Sequence, residues 1–201
     1  IVIDEANFPK CLETALEIGK WSDFPARQAA AAAEGRFIGI GLSVYLKGSG
    51  RGPFEAATVR VGPSGRISVT SGVSAIGQGT RTMLAQIVAQ SLGVGVEDID
   101  VVIGDTSAIP YGMGAASSRQ TVTAGSSARS AAEEVRNKAL RVAAHILEAA
   151  EDDLEISDRR VHVKGVPGMS IGLGEIATQL AGAATGFALP AGDRITLFLN
   201  H

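Results

Sequence analysis

Thiol, imidazole and aromatic side chains are scarce in this sequence. Its 201 residues include one cysteine, three histidines and 4% aromatic residues. The single Cys11 excludes an internal disulfide. It also excludes an iron–sulfur cluster held by this chain alone, because such clusters need several thiolates. We expect Cys11 to be a small buried residue of an early helix. The histidines lie in no cluster with metal-ligand spacing, so the sequence predicts no metal site made of side chains.

Charge and hydropathy argue against two further classes of protein. The formal net charge is −3 and there is no basic run, which argues against a general nucleic-acid binder. No apolar run is long enough to span a membrane. No signal peptide is visible, although a cleaved one would leave no trace, and we expect a cytoplasmic protein. The start, Ile-Val-Ile, predicts a chain that was processed or cut from something longer.

A glycine-flanked glutamine opens directly into a predicted helix. Gly77 and Gly79 let the backbone approach a ligand closely around Gln78, and the first N–H groups of a helix have no partners within it. Such a helix start attracts anions, phosphate above all. The helix has apolar residues at helical spacing, namely Met83, Leu84, Ile87, Val88 and Leu92. The alternative is an ordinary tight turn.

A second loop of the same kind follows the next predicted strand. Residues 98–103 alternate as a strand does, and the glycine-containing stretch 104–125 then leads into a long helix. Loops this long inside a compact domain are usually functional or disordered. The two strand–loop–helix units therefore predict one cleft that holds an extended, phosphate-bearing ligand. The alternative is a pair of ordinary surface loops.

The remaining pattern predicts an α+β fold, with a mixed sheet, hairpins and packed helices. The predicted elements are a helix over 7–18, a partly helical connector over 21–34, a buried strand over 36–46, a hairpin of 56–61 with 66–70, a helix over about 124–149, a short hairpin of 154–156 with 161–163, a brief helix over 176–180 and a mobile region over 182–186. We predict an N-terminal helical connector over 1–35 and a second domain over 36–201.

Several short motifs occur in a defined order between about Trp21 and Leu180. They are Gly-Gln-Gly-Thr (77–80), Ala-Gln-Ile (85–87), Gly-Asp-Thr (104–106), Pro-Tyr-Gly-Met-Gly (110–114), Ser-Ser-Arg-Gln-Thr (117–121) and Ala-Gly (124–125). This series resembles the molybdenum-binding subunit of the xanthine dehydrogenase/aldehyde oxidase family. It is most similar to the bacterial branch, which includes carbon monoxide dehydrogenase large chains.

The resemblance implies a molybdopterin cofactor that carries molybdenum, usually in the cytosine dinucleotide form in bacteria. By the family pattern, Gly77, Gln78 and Gly79 lie against the cofactor. The segment Ser117, Ser118, Arg119, Gln120 and Thr121 bonds the pterin and its phosphates. Amide side chains suit the pterin edge, and hydroxyls suit phosphate oxygens. Arg119 would add a charge-assisted contact; the alternative is a salt bridge to a neighbouring carboxylate. We predict that Gln78 and residues 117–121 converge on one cleft.

The sequence also departs from the family. The catalytic glutamate of the family follows the matched region and is missing here, so we predict no catalytic residue in this chain. Glu55 and Glu175 do not lie in the matching motif. The resemblance thus implies one half of a molybdopterin-binding domain. Its expected partners are the remainder of the molybdenum subunit, iron–sulfur and FAD subunits or domains, and a small-molecule substrate. The implied enzyme is an oxidoreductase acting on aldehydes or N-heterocycles. The alternative is a cofactor-free scaffold or interface subunit.

Overall fold

The computed structural model describes residues 7–181 and 199–200. It divides into two compact units, Ile1–Lys47 and Gly48–His201. Residues 36–47 thus group with the first unit, whereas the sequence placed the boundary at residue 35. Five helices and two small sheets lie in the described residues, which confirms the α+β class. None of the described helices is long and apolar enough to cross a membrane.

The first unit contains two short helices, α1 (Phe8–Ile18) and α2 (Phe24–Ala33). Each has a proline in its first turn, where the fixed φ of proline favours helix initiation. The side chain of Asn7 caps α1 by accepting a hydrogen bond from the Lys10 N–H at 3.0 Å. Both helices confirm the sequence prediction. The expected burial of Cys11 is wrong, because α1 buries none of its side chains and the thiol is exposed.

The buried strand predicted over 36–46 is not formed. Within the described residues, no backbone–backbone hydrogen bond involves residues 37–46, and their apolar side chains are largely exposed. A strand exists only when a neighbour satisfies its backbone groups, and the apolar pattern alone could not supply that neighbour.

The second unit carries the remaining elements. They are β1 (Ala57–Val61), β2 (Ile67–Ser71), α3 (Thr80–Leu92), β3 (Ile99–Ile103), α4 (Gln120–Leu147), β4 (Leu154–Ser157), β5 (Arg160–Val163), β6 (Val166–Gly172), α5 (Leu173–Leu180) and the two-residue β7 (Leu199–Asn200). Single-turn 3₁₀ helices precede β3 and β4, at Val96–Asp98 and Glu151–Asp153.

The first sheet has the strand order β3-β2-β1-β7. The predicted hairpin forms, with β1 and β2 antiparallel around a turn at residues 62–65. β3 then pairs in parallel with β2 through the crossover helix α3, and Ser71 lies opposite Ile103. Because these two parallel strands end side by side, the loops that follow them leave from the same edge of the sheet. Ligands of such sheets bind outside the carboxyl ends of the strands.

Helices α3 and α4 pack against each other and against the first sheet, and form the main core. Gly125 of α4 permits this close packing, since a Cβ there would lie 2.9 Å from Ile87 Cδ1. The buried stripe of α4 is Ala124, Ala128, Ala131, Ala132, Val135, Ala139, Val142 and Ala143. The sequence prediction began the helix at this alanine stripe and therefore missed its polar first turn from Gln120.

The second sheet is antiparallel, with the order β4-β5-β6. The hairpin of β4 and β5 confirms the prediction, and a β-bulge interrupts the pairing of β5 with β6 at His162/Val163. The sequence missed β6 because Pro167 and Gly168 are poor strand formers. The region 182–186, predicted to be mobile, lies outside the described residues.

Candidate functional site

The two glycine loops meet at a hydrogen bond between two glutamines. Residues 72–79 follow β2 and residues 104–119 follow β3. The side-chain amide of Gln78, from the first loop, donates from Nε2 to Oε1 of Gln120 at 2.6 Å. Gln120 is the first residue of α4. The predicted contact of Gln78 with the 117–121 segment is therefore present at Gln120. That the whole segment shares one cleft with Gln78 stays a prediction.

Gln120 is buried and its amide is fixed at both ends. Its Oε1 also accepts a hydrogen bond from Thr80 Oγ1 at 2.7 Å, and its Nε2 donates to the Ser74 carbonyl at 2.8 Å. Thr80 begins α3 and is 2% exposed. The sequence analysis contained Thr80 only as the last residue of the Gly-Gln-Gly-Thr motif and gave it no role in the site. The network joins the starts of α3 and α4 and sets the position of Gln78.

Gln78 itself remains accessible. Its Oε1 accepts a hydrogen bond from the Ile76 N–H at 2.7 Å, which holds the side chain beside its own loop. The flanking Gly77 and Gly79 have φ of +100° and +77°, which glycine adopts readily. A primary amide has two N–H donors and two acceptor lone pairs, and these two bonds use one of each. The exposed glutamine therefore keeps a donor and an acceptor for a ligand.

The two loops also contain two uncapped helix starts and two strained serines. Among the described residues no side chain caps either α3 or α4. Ser117 and Ser118 both have φ of +49°, a left-handed conformation that non-glycine residues rarely adopt and that costs about 1–3 kcal/mol each. The Ser117 carbonyl accepts a hydrogen bond from the Gly50 N–H at 3.0 Å. Strain of this kind concentrates at ligand clamps and active sites.

Arg119 forms the salt bridge that the sequence left as the alternative. Its guanidinium is 2% exposed and pairs with the buried Glu55 carboxylate through Nη1. Nε donates to the Arg51 carbonyl at 3.0 Å, and Nη2 donates to the Pro53 carbonyl. All three guanidinium nitrogens thus bond groups within the chain. Arg119 anchors residues 51–55 beneath the start of α4.

Glu55 is a second residue that the sequence reasoning did not assign to the site. Its Oε1 also accepts a hydrogen bond from the Met113 N–H at 3.0 Å, and its carbonyl accepts one from Ser127 Oγ at 2.6 Å. Its other carboxylate oxygen is buried and has no hydrogen-bond partner in the described part of the chain. The carboxylate of Glu55 therefore ties the second glycine loop to Arg119, and its backbone carbonyl adds a bond to α4.

The two loops also touch directly, backbone to backbone. A Cβ on Gly72 would lie 1.7 Å from the Tyr111 carbonyl oxygen, and one on Gly112 would lie 2.0 Å from the Gly72 carbonyl oxygen. Tyr111 further stacks on Phe54, with ring centroids 4.9 Å apart. Only glycines allow this crossing, so the second loop has a defined path over the end of β2.

Comparison with known proteins decides the family. The family model of the molybdopterin cofactor-binding domain matches residues 14–194. The chain belongs to this family. It is 44% identical over 174 residues to subunit gamma of the 6-hydroxypseudooxynicotine dehydrogenase complex of Paenarthrobacter nicotinovorans, covering 87% of this chain. It is 35% identical over 181 residues to the carbon monoxide dehydrogenase large chain of Afipia carboxidovorans, covering 82% of this chain.

Solved structures agree with the sequence relatives. The quinoline 2-oxidoreductase of Pseudomonas putida 86 aligns with a TM-score of 0.66 and 34% identity over 98% of this molybdopterin cofactor-binding domain. The domain spans 22% of the length of each of the two sequence relatives and 26% of the quinoline 2-oxidoreductase chain.

The donor groups of this molybdopterin cofactor-binding domain fit an organic, phosphate-bearing ligand better than a bare metal ion. The described residues contain no cluster of three or more histidines, cysteines or carboxylates that could hold a metal. The loops instead present the Gln78 amide, hydroxyls and backbone N–H groups at two helix starts. Such groups recognise a pterin edge and phosphate oxygens.

Two cavities adjoin these residues. One of about 280 Å³ lies between the loops, lined by Gly72, Ser74, Gly104, Asp105 and Tyr111 among others. Another, of about 470 Å³, lies between α3 and α4 and is lined by Thr121 and polar side chains of both helices. Thr121 therefore faces a different cavity from the first loop. Ligand sites typically enclose about 300–1,000 Å³, so the cavity between the loops is small for a whole cofactor.

Proposed function

We propose that this chain is the molybdenum-cofactor-binding part of a molybdenum hydroxylase. One observation carries the proposal: within a chain of the molybdopterin cofactor-binding family, the Gln78–Gln120 hydrogen bond joins two uncapped helix starts at an exposed amide. The proposed ligand is molybdopterin with molybdenum, in the cytosine dinucleotide form.

The proposed roles follow from the contacts of each residue. Gln78 offers its free N–H and carbonyl lone pair to the pterin edge, and Gly77 and Gly79 let the backbone come close. Ser117 and Ser118 supply hydroxyls and backbone N–H groups to the pterin and the phosphates. Thr121 takes part where the ligand extends into the separate cavity between α3 and α4 that it lines. Gln120 is buried and acts as a positioning residue for Gln78. Arg119 likewise positions its neighbours, since its guanidinium is bonded to Glu55 and two carbonyls.

The cofactor, when bound, would supply the redox centre for oxidation of a small molecule. We infer that the chain works within an oxidoreductase that oxidises an N-heterocycle or an aldehyde. The similarity to a quinoline 2-oxidoreductase supports the former, because quinoline is an N-heterocycle. The catalytic base lies outside this chain in the proposal. The remainder of the molybdenum subunit and iron–sulfur and FAD partners complete the enzyme.

Cofactor retention by glutamine variants tests the proposal. Gln78→Leu in the assembled enzyme removes one or two hydrogen bonds to the ligand, each with a net contribution of about 0.5–1.5 kcal/mol. The affinity for the cofactor should therefore fall by between about twofold and roughly a hundredfold. Gln86→Leu is the control, because Gln86 lies exposed on α3 away from both cavities. Molybdenum, pterin and released cytidine nucleotide are measured per polypeptide.

The outcomes separate the proposal from its rival. Selective loss of molybdenum and pterin in Gln78→Leu supports the assigned role. Equal retention in both variants would remove Gln78 from the binding site. An assembled complex that never contains pterin would instead support the scaffold interpretation.

A further inference from the structure

Residues 37–46 form an exposed apolar segment in the first unit. The ten residues include no charged side chain and no proline. Phe37 is 92% exposed, Val44 71% and Tyr45 78%. A contiguous apolar stretch of this kind on a protein surface marks an interaction site, because water makes it costly to leave uncovered.

The segment has the two-residue period of a β-strand. Its even positions are all aliphatic: Ile38, Ile40, Leu42, Val44 and Leu46. At its odd positions, the small residues Gly39, Gly41 and Ser43 lie between the aromatic residues Phe37 and Tyr45. Alternate residues of a strand point to opposite faces. As a strand, the segment would have one face that packs into an apolar core and another whose small residues admit a closely packed neighbour.

The absence of charge further indicates an inner strand. Natural edge strands carry lysines, other charges or prolines that prevent further pairing. This segment carries none, and within the described chain its backbone makes no hydrogen bond to another backbone group. The Ile38 carbonyl accepts a hydrogen bond from Gln28 Nε2 at 3.0 Å. The other backbone N–H and C=O groups of the segment remain available for a partner strand on each side.

We propose that residues 37–46 dock as an inner β-strand between strands of the part of a molybdenum hydroxylase large subunit that lies outside this chain. The inference rests on the proposed function. The length of the relatives argues for this occupant: the chain spans 22% of each sequence relative, so more than three quarters of such a subunit lies elsewhere. A second copy is a poorer fit, because pairing of two such segments leaves one edge of each uncovered.

Hydrogen exchange tests the docking. Amide exchange rates are compared in two samples. One is the 201-residue chain alone, and the other is subunit gamma of the 6-hydroxypseudooxynicotine dehydrogenase complex with this chain in place of its matching region. The amides of residues 37–46 should exchange rapidly in the chain alone. In the graft they should exchange at least about a hundredfold more slowly, because strand hydrogen bonds open only with part of the fold. Equal rates in the two samples would overturn the proposal.

Charge variants provide a second measurement that does not need the graft to fold. The chain is mixed with subunit gamma lacking its matching region, and complex formation is measured by sedimentation. Val44→Lys should weaken the complex at least tenfold, since it places a charge in the packed face. Val96→Lys is the control, because Val96 is an exposed valine of the second unit. Absence of a complex, or equal loss in both variants, contradicts the docking.

Two further outcomes are decisive. A dimer of the chain alone that Val44→Lys dissociates assigns the segment to a second copy and refutes the proposal. Molybdopterin content of the graft is measured separately. Slow exchange at 37–46 in a graft that holds no cofactor supports the docking and counts against the proposed function. Rapid exchange in a graft that holds cofactor supports the proposed function and counts against the docking.

Discussion

Glu55→Gln tests whether the buried Arg119–Glu55 pair holds the second unit together. The two side chains are 2% and 0% exposed, so the rule for buried ion pairs applies. The substitution leaves an acceptor for the Met113 N–H but removes the charge that balances the guanidinium. Stranding one charge of a buried pair costs about 3–5 kcal/mol. For a chain of this size, that loss lowers the melting temperature by roughly 6–20 °C.

A double variant separates the pair from its surroundings. Glu55→Leu with Arg119→Met removes both charges and keeps apolar volume, so its cost should be smaller than the sum of the two single variants. Urea unfolding followed by circular dichroism gives each free energy of unfolding. Asp100→Asn is the control, because the Arg66–Asp100 pair is exposed and its loss should change the free energy of unfolding little. If Glu55→Gln costs as little as the control, or if the single costs simply add, the reasoning fails.

Three other expectations concern the loops and the whole chain. Gly72→Ala should destabilise the chain and lower cofactor retention, because its Cβ would lie 1.7 Å from the backbone carbonyl oxygen of Tyr111. Gly168→Ala is the control in thermal unfolding, because there is open space around its Cβ. Equal melting temperatures of the two variants would contradict the crossing of the loops. Hydrogen bonds from the Ser107 hydroxyl and N–H lower the pKa of Asp105 below its ordinary 3.8, so the stability it contributes is present above that value and is lost as the pH falls through the lowered pKa. Asp105→Asn should therefore reduce acid destabilisation in melting curves, and identical acid profiles would count against it. The isolated chain should show no turnover even with added cofactor, because the proposed function places the catalytic base outside it. Oxidation of quinoline by the chain alone would be the contrary result.

Local patterns predicted the elements whose stabilising contacts are close in sequence. The hairpin of β1 and β2 needs only alternation and a turn, and the starts of α1 and α2 are marked by proline. Residues 37–46 were wrongly assigned to a buried strand because strand formation depends on a neighbour. β6 was missed for the opposite reason, since pairing with β5 overrides the poor propensities of Pro167 and Gly168.

Some contacts of the candidate site could be predicted from the sequence and others could not, for the same reason. The meeting of Gln78 with Gln120 could be predicted, because both loops follow neighbouring parallel strands. The pairing of Arg119 with Glu55 could not be assigned, because the two are 64 residues apart and nothing local favours that carboxylate over another. Thr80 could not be recognised either, since its role depends on the burial of Gln120.

The crossing of Gly72 and Gly112 limits how this sequence can evolve. Each glycine occupies the space that a side chain on the other would need, so a single substitution at either position meets a fixed backbone. Mutations that enlarge one residue become tolerable only after the opposite loop has shifted or shortened. The two positions therefore form one unit of selection, although 40 residues separate them in the numbering. Lineages of this domain that lose one glycine should also have rebuilt the loop that carries the other.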